Sequence, residues 1–455
     1  MLGVSGRQLR SAGKQVGSFM RISYRNKSLL AQAIESVGGS LSHGPASTST
    51  DSDYSKAISS GVKLVQPDQP INDPFSIVSN EMSTLAKNIA SLIGSGHPTL
   101  NKVAIYYFQA EGKHIRPLIV LLLSKALSYI PSEQRNRGSR DEADVVAYKP
   151  MTGEGVDDPL SPLSILHGVN PDIILNPLSR PQDSLPKESN GILPKQRRLA
   201  EIVEMIHTAS LLHDDVIDNS ASRRSKPSGN IAFGNKMAIL AGDFLLGRAS
   251  VAIARIRNAE VIELLSTTIA NLVEGEFMQL KNTAVDNTME ANRASFEYYI
   301  HKTYLKTASL MSKSCRAAAV LSGAQDNIVE ASYMYGRNLG LCFQIVDDML
   351  DYTVNEAELG KPAGADLKLG LATAPVLYAW EKFPELGSMI RRKFDEPGDV
   401  ERAREYVTRA GGLEKTQELA VSYANKALKE LELLPDSDAL GALKHLTMAV
   451  LNRRK

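Results

Sequence analysis

KQRRLAEIVEMIHTASLLHDD, residues 195–215, is a long, strongly apolar segment that ends on carboxylates. Its apolar side chains recur at helical rather than alternating spacing, which predicts a buried helix. The next residues complete an acidic triplet, Asp214, Asp215 and Asp218, inside LLHDDVIDNSASRR. Helical residues four apart lie one above the other, so Asp214 and Asp218 share a face. A second triplet of the same spacing, Asp347, Asp348 and Asp351, ends the apolar run of FQIVDDMLDYT. Two such faces turned towards each other repel unless a divalent ion lies between them. Hard oxygen donors suit Mg²⁺, which binds through a few carboxylates together with substrate phosphates. The pattern therefore predicts a diphosphate held by magnesium between two acidic helices.

A single DDxxD is ordinarily a solvated helix end, because acidic residues favour caps and first turns. Two copies, each behind an apolar run, change that reading. An EF-hand is disfavoured: neither triplet continues into the glycine and distal glutamate of a calcium loop.

Outward from the triplets, almost everything from Lys195 to the end reads as helix, in segments such as NKMAILAGDFLLGRASVAIARI and AEVIELLSTTIANLVEGEFMQL. Period-two alternation is almost absent, so the expected fold is all-α, a single large helical bundle with its site on facing helices. Helical periodicity starts at Asp73, which makes residues 73–455 the folded domain. Residues 131–195 interrupt it with nine of the chain's 21 prolines and charged patches such as EQRNRGSRDEAD, the signature of a long insertion without a core of its own. Residues 41–72, rich in Ser, Gly, Asp and Pro, read as a linker. Residues 1–40 hold no acid before Glu35 but carry Arg7, Arg10, Lys14, Arg21, Arg25 and Lys27 with several serines, the pattern of a mitochondrial transit peptide.

With 455 residues and a formal net charge of +1, the chain gives no electrostatic argument for nucleic acid. Cys315 and Cys342 lie in apolar helical stretches and read as reduced core residues. No apolar run approaches the roughly 18 residues that span a bilayer.

Cations stand near the triplets in small groups. GKHIRP supplies Lys113, His114 and Arg116; Arg223 and Arg224 follow the first triplet; Lys306 and Thr307 lie in YLKTASL; Lys361 lies in GKPAGADLKLG. Arginine grips phosphate bidentately, whereas lysine acts as a point charge.

GKHIRP, IHTASLLHDDVIDNSASRR, KTASL, FQIVDDMLDYT and GKPAGADLKLGLATAPVL together resemble the trans-isoprenyl diphosphate synthases, in the family's own order, from about Asp73 to the C-terminus outside the insertion. The likeness is greatest to the mitochondrial long-chain polyprenyl diphosphate synthases that make the ubiquinone side chain. The resemblance implies a helical bundle of the isoprenoid synthase type with a central cavity, and repeated condensation of isopentenyl diphosphate onto an allylic diphosphate primer. It implies that Asp214, Asp215 and Asp218, with Asp347 and Asp348, hold Mg²⁺ on the allylic diphosphate, with Asp351 behind them. Arg223, Lys306, Thr307, Gln344 and Lys361 match positions touching that diphosphate, with Lys306 also counted among the catalytic groups. Gly112, Lys113, Arg116, His207 and Arg224 match the isopentenyl diphosphate pocket. The family often has glycine where this chain has Ser225, and short-chain members carry a lysine near Leu371 that is missing here.

Short-chain members of the family place aromatics at the fourth and fifth positions before DDxxD, where this chain has the small Ser210 and Ala209. One helical turn rises about 5.4 Å, close to one isoprene unit, so small residues there let a product grow past towards Met205, Ile206 and Ile202. The alternatives are a farnesyl or geranylgeranyl synthase, or a non-catalytic subunit of a heteromeric synthase. The second is disfavoured because all six aspartates are intact. A homodimer is expected from the family, and peripheral inner-membrane contact from so apolar a product. The basic end Arg453, Arg454 and Lys455 either closes over the site or is a solvated tail.

Overall fold

A computed structural model describes residues 73–95, 97–108, 114–135, 191–223, 226–280, 289–353 and 364–453. The expected transit peptide at 1–40, the linker at 41–72 and most of the 131–195 insertion lie outside the described residues.

The long helices, in chain order, are α1 (Ser79–Ile93), α2 (Pro98–Ile105), α3 (Ile115–Leu127), α4 (Pro194–Ile217), α5 (Asn235–Ile256), α6 (Ala259–Leu280), α7 (Met289–Thr303), α8 (Ser309–Ser322), α9 (Asp326–Thr353), α10 (Ala374–Trp380), α11 (Asp399–Ala410), α12 (Gly412–Glu430) and α13 (Asp438–Leu451). One antiparallel pair, Ser222–Arg223 with Lys226–Pro227, is the sheet among the described residues. The all-α expectation therefore holds, with a two-residue hairpin that periodicity cannot register because it is too short.

The apolar stripe of α4 explains its place. Leu199, Ile202, Val203, Met205, Ile206, Ala209 and Leu212 are fully buried, and full burial of each large aliphatic contributes about 1.5–3 kcal/mol. Around it pack α3, α5 and α8; α8 packs in turn on α9, and α9 on α12. A second, smaller core gathers Tyr299, Tyr352, Leu367, Leu377, Trp380, Ile390 and Phe394. Helix α9 belongs to both: Ile345, Val346 and Leu350 lie in the larger core, and Tyr352 in the smaller. Its aspartates thus sit where the two cores meet.

Helices α8 and α9 approach very closely. A Cβ added at Gly340 would lie 2.6 Å from the Ala308 Cα, so only glycine permits this crossing. The chain before α8, Tyr304–Ala308, is a π-helical turn rather than an α-helical one. Such turns insert one residue into a helix and recur at functional sites.

Cys315 and Cys342 are buried free thiols, both pushed up to about 12 by burial. Neither reads as reactive, since the thiolate is the nucleophile.

Candidate functional site

Both triplets occupy helix C-termini, opposite to where a solvated acidic cap would sit. Helix α4 ends at Ile217 and α9 at Thr353, and neither carries a basic residue in its last turn. The C-terminal end of a helix is the negative end of its dipole, so carboxylates there are doubly in need of a cation.

The end of α4 is shaped by its own sequence. Asp218 closes the helix, its N–H donating to the Asp214 carbonyl at 2.8 Å. Asn219 then adopts φ 49°, the left-handed conformation that asparagine tolerates better than most residues. The chain turns into the hairpin, which returns Arg223 onto the helix it just left. The guanidinium of Arg223 reaches the Asp215 Oδ1 from Nε at 2.9 Å and from Nη2 at 2.7 Å. Tyr107 donates its hydroxyl to the Asp215 Oδ2 and accepts the Gly229 N–H at 2.6 Å. Asp215 is wholly buried and fully partnered.

Asp214 has a different environment. Burial, then the carboxylates of Glu276 and Asp218, push it up to about 7, against the opposing pull of Lys306 and Arg223. A carboxyl held protonated towards neutrality by burial first, and by neighbouring carboxylates second, is one that a divalent ion would relieve.

On the opposite side, the π-turn aims neighbouring residues in different directions. Thr307 donates to the Gln344 Oε1 at 2.8 Å, which orients that amide so that its Nε2 donates to the Asp348 Oδ1 at 2.8 Å. Tyr299 donates to the Asp348 Oδ2 at 2.7 Å. Burial raises Asp348, while Gln344, Tyr299 and Lys302 oppose the rise. Lys306 reaches the Glu276 Oε1 at 2.5 Å and the Gln279 Oε1 at 2.9 Å on α6. Asp351 accepts the N–H groups of Ala365 at 3.2 Å and Asp366 at 3.1 Å, capping the short helix Ala365–Lys368. Asp347 pairs with Arg453, whose guanidinium stacks 4.4 Å from the Phe343 ring centre. Burial lowers Arg453 to about 10.

Glu276 and Lys306 connect the two acidic ends. Asp214 feels both of them, and Lys302 feels Glu276, Lys306 and Asp348 together. The triplets therefore share one electrostatic neighbourhood, although among the described residues no three His, Cys, Asp or Glu side chains gather closely enough to hold a metal unaided. Basic side chains stand on three of the carboxylates instead: Arg223 on Asp215, Arg453 on Asp347 and Lys306 on Glu276.

Arg116 and His207 are brought together, Nη1 to Nε2, at 2.9 Å. An arginine can only donate, so the Nε2 of His207 accepts. Beside them His114, at φ 38°, meets the buried Glu204 at 2.9 Å. Ala209 is fully buried, and Ser210 donates to the His207 carbonyl at 2.9 Å. Gly112, Lys113, Arg224 and Lys361 lie outside the described residues.

Sequence reading missed Tyr107, Tyr299, Glu276, Gln279 and Lys302. Each sits singly in a helical run with no spacing to announce it, and only the neighbour it meets across the fold gives it meaning.

The family described as polyprenyl synthetase matches residues 182–407. The probable mitochondrial hexaprenyl pyrophosphate synthase of Yarrowia lipolytica is 70% identical over 436 residues, 95% of each chain. The mitochondrial hexaprenyl pyrophosphate synthase of Saccharomyces cerevisiae is 54% identical, covering 89% of this chain and 95% of its own. Among solved structures, a polyprenyl synthase from Caulobacter crescentus complexed with calcium and isoprenyl diphosphate superposes with a TM-score of 0.65 at 27% identity, over 86% of this chain and all of that one.

Proposed function

The chain belongs to the polyprenyl synthetase family, and we propose how its residues divide the work of making a long all-trans polyprenyl diphosphate. It is a prenyltransferase of the long-chain, ubiquinone branch, acting in mitochondria; the relatives that support this are named mitochondrial hexaprenyl pyrophosphate synthases. Those names favour a six-unit product. The observation that carries the site reading is the pair of acidic helix ends sharing Glu276 and Lys306.

Asp214, Asp215, Asp218, Asp347 and Asp348 would hold Mg²⁺; burial, then the carboxylates of Glu276 and Asp218, push Asp214 up to about 7, an environment that a divalent ion fits. When bound, magnesium supplies Lewis-acid stabilisation of the departing diphosphate. The protein's own cations do the rest. Arg223 and Lys306, with Lys361, receive the allylic diphosphate, and Thr307 and Gln344 fix its orientation. Arg116, His207, Lys113 and Arg224 hold isopentenyl diphosphate against the backbone of Gly112. Charge that develops on the leaving oxygen meets donors already in place, which is where such sites gain most of their rate. The allylic cation forms as the diphosphate departs, the isopentenyl double bond attacks it, and the released diphosphate takes the proton that is lost. No protein nucleophile is needed.

Above this site, Ala209 and Ser210 leave room for the growing chain. A homodimer is supported by the exposed apolar stripes Leu240–Val251 on α5 and Val273–Phe277 on α6. Helix α5 is long and apolar enough to cross a membrane by composition, yet is partly buried in the bundle, and subunit pairing explains the remainder better.

Incubating the purified chain with farnesyl diphosphate, isopentenyl diphosphate and Mg²⁺, then measuring product mass, tests the reading. A product of six units that requires the metal is expected; farnesyl diphosphate returned unextended sinks it.

A further inference from the structure

Beside the second triplet, on the side of the smaller core, lies a cavity of about 50 Å³ between α6, α7 and the loops around Gly370 and Lys393. A single water needs about 10–15 Å³ on this measure, so the space admits a group of about five heavy atoms, the size of a phosphoryl group. Its polar lining is Gln279, Ser295, Tyr298, Tyr299, Lys302 and Lys393, and no lining residue is acidic.

Three features give this lining a direction. The hydroxyl of Ser295 is buried with no hydrogen-bond partner, on a residue only 6% exposed. A buried hydroxyl left so is destabilising and is rare without a reason. The ammonium of Lys302 lies 5.7 Å from the Tyr299 ring centre, and no carboxylate among the described residues stands within ion-pair distance of it. Burial lowers its pKa even though Asp348, Asp366 and Glu276 pull the other way from further off. Lys393 is brought to the cavity by a strained turn: it and Phe394 have φ 58° and 54°. A Cβ added at Gly370 would meet the Lys393 Cβ at 2.7 Å, so this turn is tightly seated. Left-handed conformation at two successive non-glycine residues is strained and persists only where the surroundings enforce it.

We infer that this cavity is an anion site, distinct from the substrate sites proposed above, that takes one phosphate-class group on Ser295, Lys302 and Lys393. The hydroxyl donates to one oxygen, and the two ammonium groups supply charge. Tyr299 links the site to the second triplet, since its hydroxyl holds Asp348. The group comes either from diphosphate released at each condensation or from free phosphate. Only the first source depends on the proposed reaction.

Calorimetric titration of the metal-free full chain with inorganic phosphate tests the site, with thermal melting to verify that each variant is folded. One phosphate per chain is expected. Binding should weaken at least ten-fold in Lys302→Gln and several-fold in Ser295→Ala, survive in Lys302→Arg, and be unchanged in Arg223→Gln. If Lys302→Gln does not fold, Lys393→Gln carries the same expectation. Unchanged affinity in the lining variants, or loss in Arg223→Gln, overturns the inference. Inorganic diphosphate then separates the sources. Displacement of phosphate by diphosphate, with product inhibition relieved in Ser295→Ala, identifies the released group; phosphate binding that diphosphate does not displace identifies free phosphate. Loss of turnover with phosphate binding intact would bear on the synthase reading and leave the anion site standing.

Discussion

Asp214 and Asp215 are adjacent and chemically identical, yet the fold treats them oppositely. Asp215 has two strong donors, Arg223 and Tyr107, whereas Asp214 faces Glu276 and Asp218. In metal-free protein this has a sign. Asp214 is held up to about 7 in the folded state against 3.8 ordinarily, so between those values the native chain binds more protons than the unfolded one. Stability should therefore fall as pH rises from about 4 to about 7, by at most about 4 kcal/mol. Melting in chelator should show that slope, Asp214→Asn should flatten it, and Mg²⁺ should remove it; a stability that rises with pH in wild type but not in the variant contradicts the assignment. For turnover, replacing Asp214 and Asp347 together by asparagine should cost about three orders of magnitude or more, since the charge stabilising the leaving group is lost. Normal elongation by that double variant would end the case for the triplets. Both aspartates were legible because their spacing is a motif. Tyr107 was not, because one tyrosine in YYFQAEG looks like any other apolar anchor.

Helices place these residues, and two elements decide the outcome. Helix α4 carries the triplet at its foot and Ala209 and Ser210 just above it. Ala209→Phe or Ser210→Phe should shorten the product by one or more isoprene units with turnover kept, as read by product mass; an unchanged length places the ruler elsewhere. Helix α9 meets the π-turn where Gly340 faces Ala308. Gly340→Ala should destabilise by about 1–3 kcal/mol through overpacking, measured by denaturant unfolding. It should also impair turnover, because the same crossing sets Thr307 against Gln344 at 2.8 Å. A variant as stable and active as wild type would show that this crossing yields freely. The existence and class of both helices were plain from the 3.6-residue period. The π-turn was not, since Tyr304–Ala308 has the composition of ordinary helix and is widened only by what packs against it.

At the scale of the molecule, the sequence announced the helical bundle, because burial follows periodicity. It was silent on the division into two cores and left Arg453 between closing over the site and a solvated tail, whereas the structure pairs it with Asp347; both features depend on contacts between distant segments. The exposed Leu240 and Phe277, 57% and 64% accessible, belong to the apolar stripes through which pairing of two subunits is proposed. Leu240→Arg should convert a dimer to monomer in sedimentation velocity; a wild-type chain that already sediments as a monomer would refute pairing through this face. The widened turn at Tyr304–Ala308 sets regularity against phase. Deleting one residue there would restore an even pitch and yield a smoother rod, while swinging α7 by roughly 100° relative to α8. Lys302 and Tyr299 would then point away from Asp348, so the tidier helix would belong to the poorer catalyst.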